Sequence, residues 1–145
     1  MEVQQQTVSH IPGVEIRQIK PYRDERGSLL KILMRQHLGD GQANFGEIYI
    51  NTAVPGAVKG NHYHAAISEW FCVLCGQIAL ALVDTKTGAR DKIYLEGDTP
   101  KVVCVRPYIA HALKNIGPDQ AIFLAYADYP YDPKNPDTFA FEVFS

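Results

Sequence analysis

The stretch that decides the fold is Gly56-Ala57-Val58-Lys59-Gly60-Asn61-His62-Tyr63-His64, and Glu69 follows it closely. His62 and His64 are two residues apart, so on a β-strand both imidazoles leave the same face. Glu69 begins the next apolar run, and a third imidazole, His111, comes much later. Neutral imidazoles and a carboxylate are ligands that divalent cations take in proteins. The pattern predicts that His62, His64, Glu69 and His111 form one metal site.

The rest of the chain predicts short β-strands with almost no helical period. Apolar and alternating runs recur at a spacing of roughly eight to twelve residues, which is typical of an all-β sandwich or barrel. Turns are expected at Asp24-Glu25-Arg26-Gly27 and at Thr85-Lys86-Thr87-Gly88, and one short helical turn is expected within residues 35–42. The predicted strands cover residues 14–19, 28–33, 45–52, 68–76, 77–84, 92–95, 102–105, 111–115, 120–126 and 139–144.

Length, charge and the N-terminal sequence limit the number of domains, the class of partner and the location. We interpret the 145 residues as a single domain: N-terminal strands in 10–55, a core in 56–126 and a C-terminal extension in 127–145. The net charge of −2 is spread along the chain, so no basic patch favours a nucleic-acid partner. The N-terminus lacks the features of a signal peptide, and no apolar run reaches about 18 residues. We therefore expect a cytoplasmic protein without a membrane partner.

The three cysteines are expected to be small apolar fillers. Cys72-Val73-Leu74-Cys75 has the spacing of a thioredoxin-type pair, but residues three apart on a strand lie on opposite faces. Cys104 lies in another apolar run and is interpreted in the same way.

The strand that carries Glu69 is apolar on both faces. If Glu69 points inward, Phe71, Val73 and Cys75 do so as well, while Trp70, Cys72 and Leu74 line the opposite face. Because neither face should meet water, something must cover the outer one. A homodimer is the preferred explanation, and a terminal strand of the same chain is the alternative.

Two motifs resemble those of the cupin family, a small jelly roll also described as a double-stranded β-helix. The first motif is complete and its five typed positions are Gly56, His62, His64, Glu69 and Gly76. The second motif is looser, with Gly97, Pro107, His111 and Asn115 in place and Tyr108 where a glycine is usual. The resemblance implies the jelly-roll fold that the strand pattern already favours.

Further segments narrow the resemblance. Arg23-Asp24-Glu25-Arg26-Gly27, Lys59-Gly60-Asn61-His62 and Tyr126-Ala127-Asp128-Tyr129-Pro130-Tyr131 are similar to dTDP-4-dehydrorhamnose 3,5-epimerases. Residues 60–64 and 132–138 are even more similar to the C-terminal cupin domain of capsule-biosynthesis enzymes that epimerise and reduce a UDP-linked 4-keto hexose. Both resemblances imply an isomerase, a 3- or 3,5-epimerase of a nucleotide-linked 4-keto-6-deoxy sugar in deoxysugar or surface polysaccharide biosynthesis.

The epimerase resemblance also implies roles for individual residues. His62 would be the base that removes a proton beside the ketone, and Tyr126 would be the acid that returns one, with Tyr129 and Tyr131 close by. Tyr131 would contact the substrate. Arg26 and Lys59 would meet its diphosphate. The alternatives are purely structural: Tyr126 is an aromatic core residue, and Arg26 braces its turn through Asp24.

The chain departs from the epimerases at the metal-binding positions. Those enzymes work without a metal, usually carry glutamine in place of His64, and have a Gln-x-Asn pair where Glu47 and Tyr49 stand here. We expect a bound divalent ion, zinc first, with iron, manganese or nickel as alternatives, and no organic cofactor. A metal on His62 would occupy the lone pair that a base needs, so the ion would polarise the ketone or be structural. The alternative function is a metal-dependent cupin without sugar chemistry, either a dioxygenase or a ligand-binding module.

Overall fold

The computed structural model describes residues 8–38 and 45–144, which form short β-strands and one turn of 3₁₀ helix, Arg35–His37. The strands are β1 Val14–Gln18, β2 Tyr22–Asp24, β3 Gly27–Leu29, β4 Glu47–Ala53, β5 Val58–Tyr63, β6 Glu69–Cys75, β7 Gln77–Asp84, β8 Arg90–Glu96, β9 Lys101–Val105, β10 Ile109–Asn115, β11 Ala121–Ala127 and β12 Phe139–Ala140. None of the helical structure in these two ranges is long and apolar enough to cross a bilayer.

Ten of these strands form two five-stranded antiparallel sheets. The first sheet has the order β1-β9-β6-β11-β4, and the second has the order β12-β5-β10-β7-β8. The remaining strands, β2 and β3, form a separate hairpin. The predicted all-β jelly roll is therefore confirmed. The last predicted strand, 139–144, is reduced to Phe139–Ala140, because beyond it the N–H groups of Val143 and Phe144 donate to the side chain of Asn61 rather than to a strand main chain.

The main core lies where the inner faces of the two sheets meet. Side chains such as Phe71, Leu80, Ile93 and Phe123 are almost completely removed from solvent there. Full burial of an aliphatic or aromatic side chain stabilises the fold by about 1.5–3 kcal/mol. The strands alternate as the sequence predicts, so Glu69 at the start of β6 shares the inner face with Phe71.

The outer face of β6 is covered by another segment of the same chain. Trp70 and Cys72 pack there with Cys104, Val102 and Tyr126. The covering side chains, from the segment between β1 and β4, are Ile19, Leu30, Ile32, Leu33 and Leu38. The cover thus comes from the chain itself, as in the alternative, although from an internal segment rather than a terminal strand.

The cysteine prediction holds for two of the three residues. Cys72 and Cys104 are buried, whereas Cys75 is exposed and does not fill the core. The register between β6 and β11 shifts near Cys75, between Ile122 and Phe123, so the regular alternation of β6 ends before it reaches Cys75.

A bulge in β5 sets up the site. Lys59 pairs with Leu113 and His62 with His111, but the register shifts by one residue between them. Asn61 takes up the extra residue with a φ of 57°, and Gly60 has a φ of 98°. A Cβ at Gly60 would lie 2.8 Å from the His111 carbonyl oxygen, so only glycine lets the two strands approach this closely. The bulge turns both Lys59 and His62 toward the inside of the barrel.

Candidate active site and metal centre

Three strands bring the four predicted ligands together. β5 carries His62 and leads directly into His64, β6 begins with Glu69, and β10 carries His111. One ligand atom from each residue lies within 4.8 Å of the others. The His62 ring is 4.9 Å from both the His64 ring and the His111 ring, measured between centroids.

His64 is held from both sides. Its Nδ1 lies 2.5 Å from the main-chain carbonyl oxygen of Asp137, and its Nε2 lies 2.6 Å from Glu69 Oε1. Because a carbonyl oxygen can only accept, Nδ1 carries the proton, and Nε2 is the atom directed at the cluster.

His111 has an unsatisfied nitrogen. Its Nδ1 lies 3.1 Å from the Ile109 carbonyl oxygen, which again assigns Nε2 to the cluster. That Nε2 is 3.2 Å from Glu69 Oε1 but makes no hydrogen bond, and it is fully buried. A buried polar atom without a partner costs about 1–3 kcal/mol. His111 is therefore not a satisfied core histidine, and its free lone pair suits a cation.

The electrostatics of the cluster also suit a cation. Burial lowers the pKa of His62 to about 4, and the neighbouring imidazoles of His111 and His64 add to this effect, so the ring is neutral. Burial would raise the pKa of Glu69, but the imidazoles of His111 and His64 outweigh it and leave the group ionised. Burial would lower the pKa of His64, yet the Glu69 carboxylate raises it overall. Imidazole nitrogens and one carboxylate form a donor set that fits zinc or another divalent transition metal.

Tyr49 on β4 is a site residue that the sequence reasoning did not select. Its hydroxyl donates a 2.8 Å hydrogen bond to Glu69 Oε2. Burial and the Glu69 charge raise its pKa, so the phenol stays protonated and remains a donor. Alternation along β4 was the available signal, because Glu47, Tyr49 and Asn51 share one face of that strand.

A cavity of about 530 Å³ opens at the cluster, where it is lined by His62, His64 and Glu69 but not by His111. The strands contribute part of its lining, and the C-terminal extension contributes another wall. The lining residues are Glu47, Tyr49, His62, His64, Ala66, Ile67, Glu69, Ala127, Tyr129, Pro130, Tyr131, Asp132, Asn135, Asp137 and Thr138. Tyr131, predicted to contact the substrate, therefore lies at the cavity, as does Tyr129.

Tyr126 lies on the other side of the sheet, and its predicted role as the acid needs correction. It pairs across the sheet with Trp70 and Ile48, so its side chain is on the outer face. It is 3% exposed, its ring centroid is 5.7 Å from that of Trp70, and its hydroxyl accepts a 3.2 Å hydrogen bond from the Gly46 N–H. A buried phenol on the far face cannot reach a substrate in the cavity, so Tyr126 is an aromatic core residue.

The two predicted diphosphate ligands also lie outside this cavity. Arg26 is at the tip of the β2–β3 hairpin, and its side chain is 84% exposed and paired with Asp24, as the turn-bracing alternative predicted. Lys59 Nζ donates a 2.9 Å hydrogen bond to Asn51 Oδ1 and lines a separate small cavity of about 50 Å³. Among the described residues, no lysine or arginine lines the main cavity, whereas four carboxylates do.

The jelly roll and the three-histidine, one-glutamate cluster at the floor of a cavity define a cupin. Within that class, the chain belongs to the family of polysaccharide biosynthesis C-terminal domains, whose model matches residues 22–139.

Known proteins with similar sequences and structures agree with this family. The chain is 30% identical over 122 residues to the UDP-2-acetamido-2,6-beta-L-arabino-hexul-4-ose reductase of Pseudomonas aeruginosa. That match covers 84% of the chain but only 31% of the relative's length. The crystal structure of the capsular polysaccharide assembling protein CapF from Staphylococcus aureus matches with 26% identity and a TM-score of 0.67. That match covers 86% of this chain and 34% of the CapF chain.

The fold also occurs in shorter proteins. A dTDP sugar isomerase from Desulfovibrio desulfuricans G20 matches with a TM-score of 0.80 and 20% identity, over 93% of this chain and 87% of that chain. At this identity the similarity shows the shared fold.

Proposed function

We propose that this chain is an epimerase or isomerase of a nucleotide-linked 4-keto-6-deoxy sugar in polysaccharide biosynthesis, and that it holds a divalent cation, zinc first, on His62, His64, Glu69 and His111. The observation that carries the proposal is the position of this donor cluster at the floor of a sugar-sized cavity. The family supports the pathway class, and the relatives that act on nucleotide sugars support the substrate class.

The cavity has the character of a site for a sugar. Its volume lies within the range of about 300–1,000 Å³ that is common for small-molecule pockets. Tyr129 and Tyr131 offer aromatic surface for the apolar face of a pyranose ring, and Asp132 and Asn135 offer hydrogen-bond partners for hydroxyls. The carboxylates of the lining make this a poor site for phosphates, so the diphosphate and nucleotide would lie beyond the mouth.

The chemistry follows from a ketone placed above the cluster. The 4-keto group acidifies the hydrogens on the neighbouring carbons, a base removes one of them, and a proton returns to the opposite face. A divalent cation, when bound, acts as a Lewis acid toward the ketone oxygen. Glu69 adds a fixed charge, and Tyr49 keeps that carboxylate in place.

Proton transfer then falls to residues around the cavity. With His62 engaged as a ligand, its lone pair is not available as the base. Tyr131 and Tyr129 line the cavity, and we propose that one of them is the acid, the role that the resemblance gave to Tyr126. Glu47 lines the same cavity, is not one of the cation ligands, and is the carboxylate that we propose as the base.

The outer face of β6 is covered within the chain and no longer argues for a homodimer, but we propose one on a different ground. The outer side chains of strand β4, at the end of the first sheet, include Ile48 and Ile50, which are 55% and 60% exposed. An exposed aliphatic pair on such a strand supports a protein–protein contact. Light scattering after size exclusion would give the mass, and a monomer at micromolar concentration would contradict it. The free thiols of the described residues are compatible with the cytoplasmic location that we also propose.

Solvent exchange tests the reaction directly. The protein is incubated with a dTDP- or UDP-linked 4-keto-6-deoxyhexose in deuterated water, and deuterium at C3 and C5 is followed by mass spectrometry and NMR. Exchange at both carbons indicates a 3,5-epimerase, and exchange at C3 alone indicates a 3-epimerase or a 3,4-ketoisomerase. Exchange at neither carbon rejects the sugar reaction and leaves the metal cupin, as dioxygenase or ligand-binding module, as the alternative.

A further inference from the structure

The C-terminal extension docks along the strand that carries the metal-binding histidines. Phe139 pairs with Tyr63 and Ala140 pairs with His62, so β12 adds to the edge of β5. Beyond it, the side chain of Asn61 accepts hydrogen bonds from the N–H groups of Val143 and Phe144, at 2.8 and 3.1 Å. The extension is therefore attached to the same bulged strand that orients the cluster.

Asp137, two residues before β12, binds the turn that follows His64. Its carboxylate accepts hydrogen bonds from three consecutive main-chain N–H groups, those of Ala65 at 2.8 Å, Ala66 at 2.8 Å and Ile67 at 3.0 Å. Three such bonds to a charged acceptor form a strong local anchor. This turn is the link between β5 and β6, so its shape sets the distance between His64 and Glu69.

The main chain of Asp137 contacts His64 itself. Its carbonyl oxygen accepts a hydrogen bond from His64 Nδ1 at 2.5 Å, which leaves Nε2 as the atom available for a cation. One residue, 73 positions away in the chain, thus controls both the backbone from which His64 projects and the tautomer of its ring. The carboxylate holds the carbonyl in place, because both belong to the same residue.

We propose that Asp137 is a positioning residue of the metal centre, and that it couples cation binding to docking of the C-terminal extension. This inference depends on the proposed metal site. Coupling between two binding events is reciprocal. If docking of the extension raises the affinity for the cation by some factor, a bound cation raises the equilibrium constant for docking by the same factor. The extension also carries Tyr129 and Tyr131, which form part of one wall of the cavity. The cation would therefore help to organise the substrate cavity.

The test measures Zn²⁺ affinity and amide hydrogen exchange, without any enzymatic assay. Zn²⁺ affinity is obtained by competition with a chromogenic chelator for the wild type, Asp137→Ala, Asp137→Asn and Asp132→Ala. Asp132 is the matched control, because it lines the same cavity and accepts a 2.9 Å hydrogen bond from the Lys134 N–H, within the extension. Asp137→Asn keeps the backbone carbonyl and one side-chain oxygen.

We expect Asp137→Ala to lose about 10–100-fold in Zn²⁺ affinity, the range found when groups that orient metal ligands are changed, because the carbonyl that orients His64 stays but loses the carboxylate that anchors it. Asp137→Asn should lose less, and Asp132→Ala should bind as the wild type does. Zn²⁺ should slow hydrogen exchange at residues 65–67 and 139–144 in the wild type, and should do so less in Asp137→Ala.

Each contrary result has a distinct meaning. Equal Zn²⁺ affinity in Asp137→Ala and wild type overturns the coupling but leaves the metal site intact. An equal loss in Asp132→Ala also overturns it, because the effect would then be general. If Asp137→Ala does not fold, Asp137→Asn decides, and wild-type affinity in that variant rejects the inference. A wild type that takes up no Zn²⁺ rejects both the metal site and the coupling.

Discussion

Nε2 of His111 lies 3.2 Å from Oε1 of Glu69, yet the two atoms make no hydrogen bond. The same Glu69 oxygen lies 2.6 Å from His64 Nε2 and is already engaged there. The lone pair of His111 Nε2 therefore points into the cluster without a partner. A cation between these groups would take up the unused lone pair.

Removing the cation should destabilise the protein. Binding at a free Zn²⁺ concentration 100 times the Kd adds about 2.7 kcal/mol to the free energy of unfolding. We therefore expect EDTA to lower the Tm of Zn²⁺-loaded protein and added Zn²⁺ to restore it, with one ion per chain by elemental analysis. His111→Ala should bind less Zn²⁺ and show a smaller EDTA effect. An unchanged Tm in EDTA would contradict a cation site.

His64→Gln separates cation-assisted from cation-free catalysis. If the cation polarises the ketone, metal content and deuterium exchange should fall together in this variant. The epimerases that the sequence resembles usually have glutamine here and need no metal, so the cation-free mechanism expects near wild-type exchange. An active His64→Gln protein that contains no metal would contradict the proposed role of the cation. His62→Asn cannot distinguish the two mechanisms, because either one needs the imidazole.

The tyrosines of the C-terminal extension should matter more than Tyr126. Tyr131→Phe removes a phenol at the cavity, and we expect exchange at C3 to slow by about 10²-fold or more if this group transfers a proton. Tyr126→Phe is the matched control. It should lose only the hydrogen bond from Gly46, about 0.5–1.5 kcal/mol of stability, and retain exchange. Loss of exchange in a stable Tyr126→Phe protein would show that this phenol does take part in proton transfer.

Gly60→Ala should destabilise the pairing of strand β5 with β10. The added Cβ would lie 2.8 Å from the His111 carbonyl oxygen, at a φ of 98°. The backbone strain alone costs on the order of 1–3 kcal/mol. Gly88→Ala is the control, because Gly88 has a φ of 79° and a Cβ added there would meet no atom within 4 Å, so strain is its only penalty. Urea unfolding should give the larger loss for Gly60→Ala, and equal losses would show that the close strand approach is unimportant.

The metal-free protein should be most stable near pH 6.5, because the stability gained from His62 is complete there and the stability gained from His64 is lost at higher pH. Between about 4 and 6.5 the unfolded chain protonates His62 while the folded chain keeps it neutral, so stability rises with pH. The lowered pKa of Glu69 acts in the same direction at the acidic end, since its stabilising contribution is lost as pH falls. The raised pKa of His64 adds stability below 6.5 that is lost as pH rises through the folded value.

Thermal unfolding in EDTA across this pH range measures the profile. His62→Asn should flatten the acidic limb, because it removes the group that must stay neutral in the folded state. A wild-type Tm that decreases as the pH is raised from 4 to 6.5 would contradict the burial of a neutral His62.

Local patterns predicted an all-β sandwich or barrel, and the resemblance to the cupin motifs narrowed this to the jelly roll and to the four-residue cluster. The two-residue spacing of His62 and His64 and the alternation after Glu69 depend only on strand geometry, which repeats every two residues. Position 111 was recognised through the looser second motif, and the antiparallel pairing of β5 with β10 brings it beside His62.

Only the tertiary structure decided that Tyr126 lies away from the cavity and that Tyr49 and Asp137 line it. In β11, Ala-Ile-Phe-Leu-Ala-Tyr-Ala is apolar at every position, so composition does not show which face is inner, and Tyr126 lies on the outer one. Tyr49 reaches Glu69, and Asp137 reaches His64, only because distant segments pack together. Periodicity within one strand determines its two faces, whereas the partner that each face meets depends on packing between elements far apart in the chain.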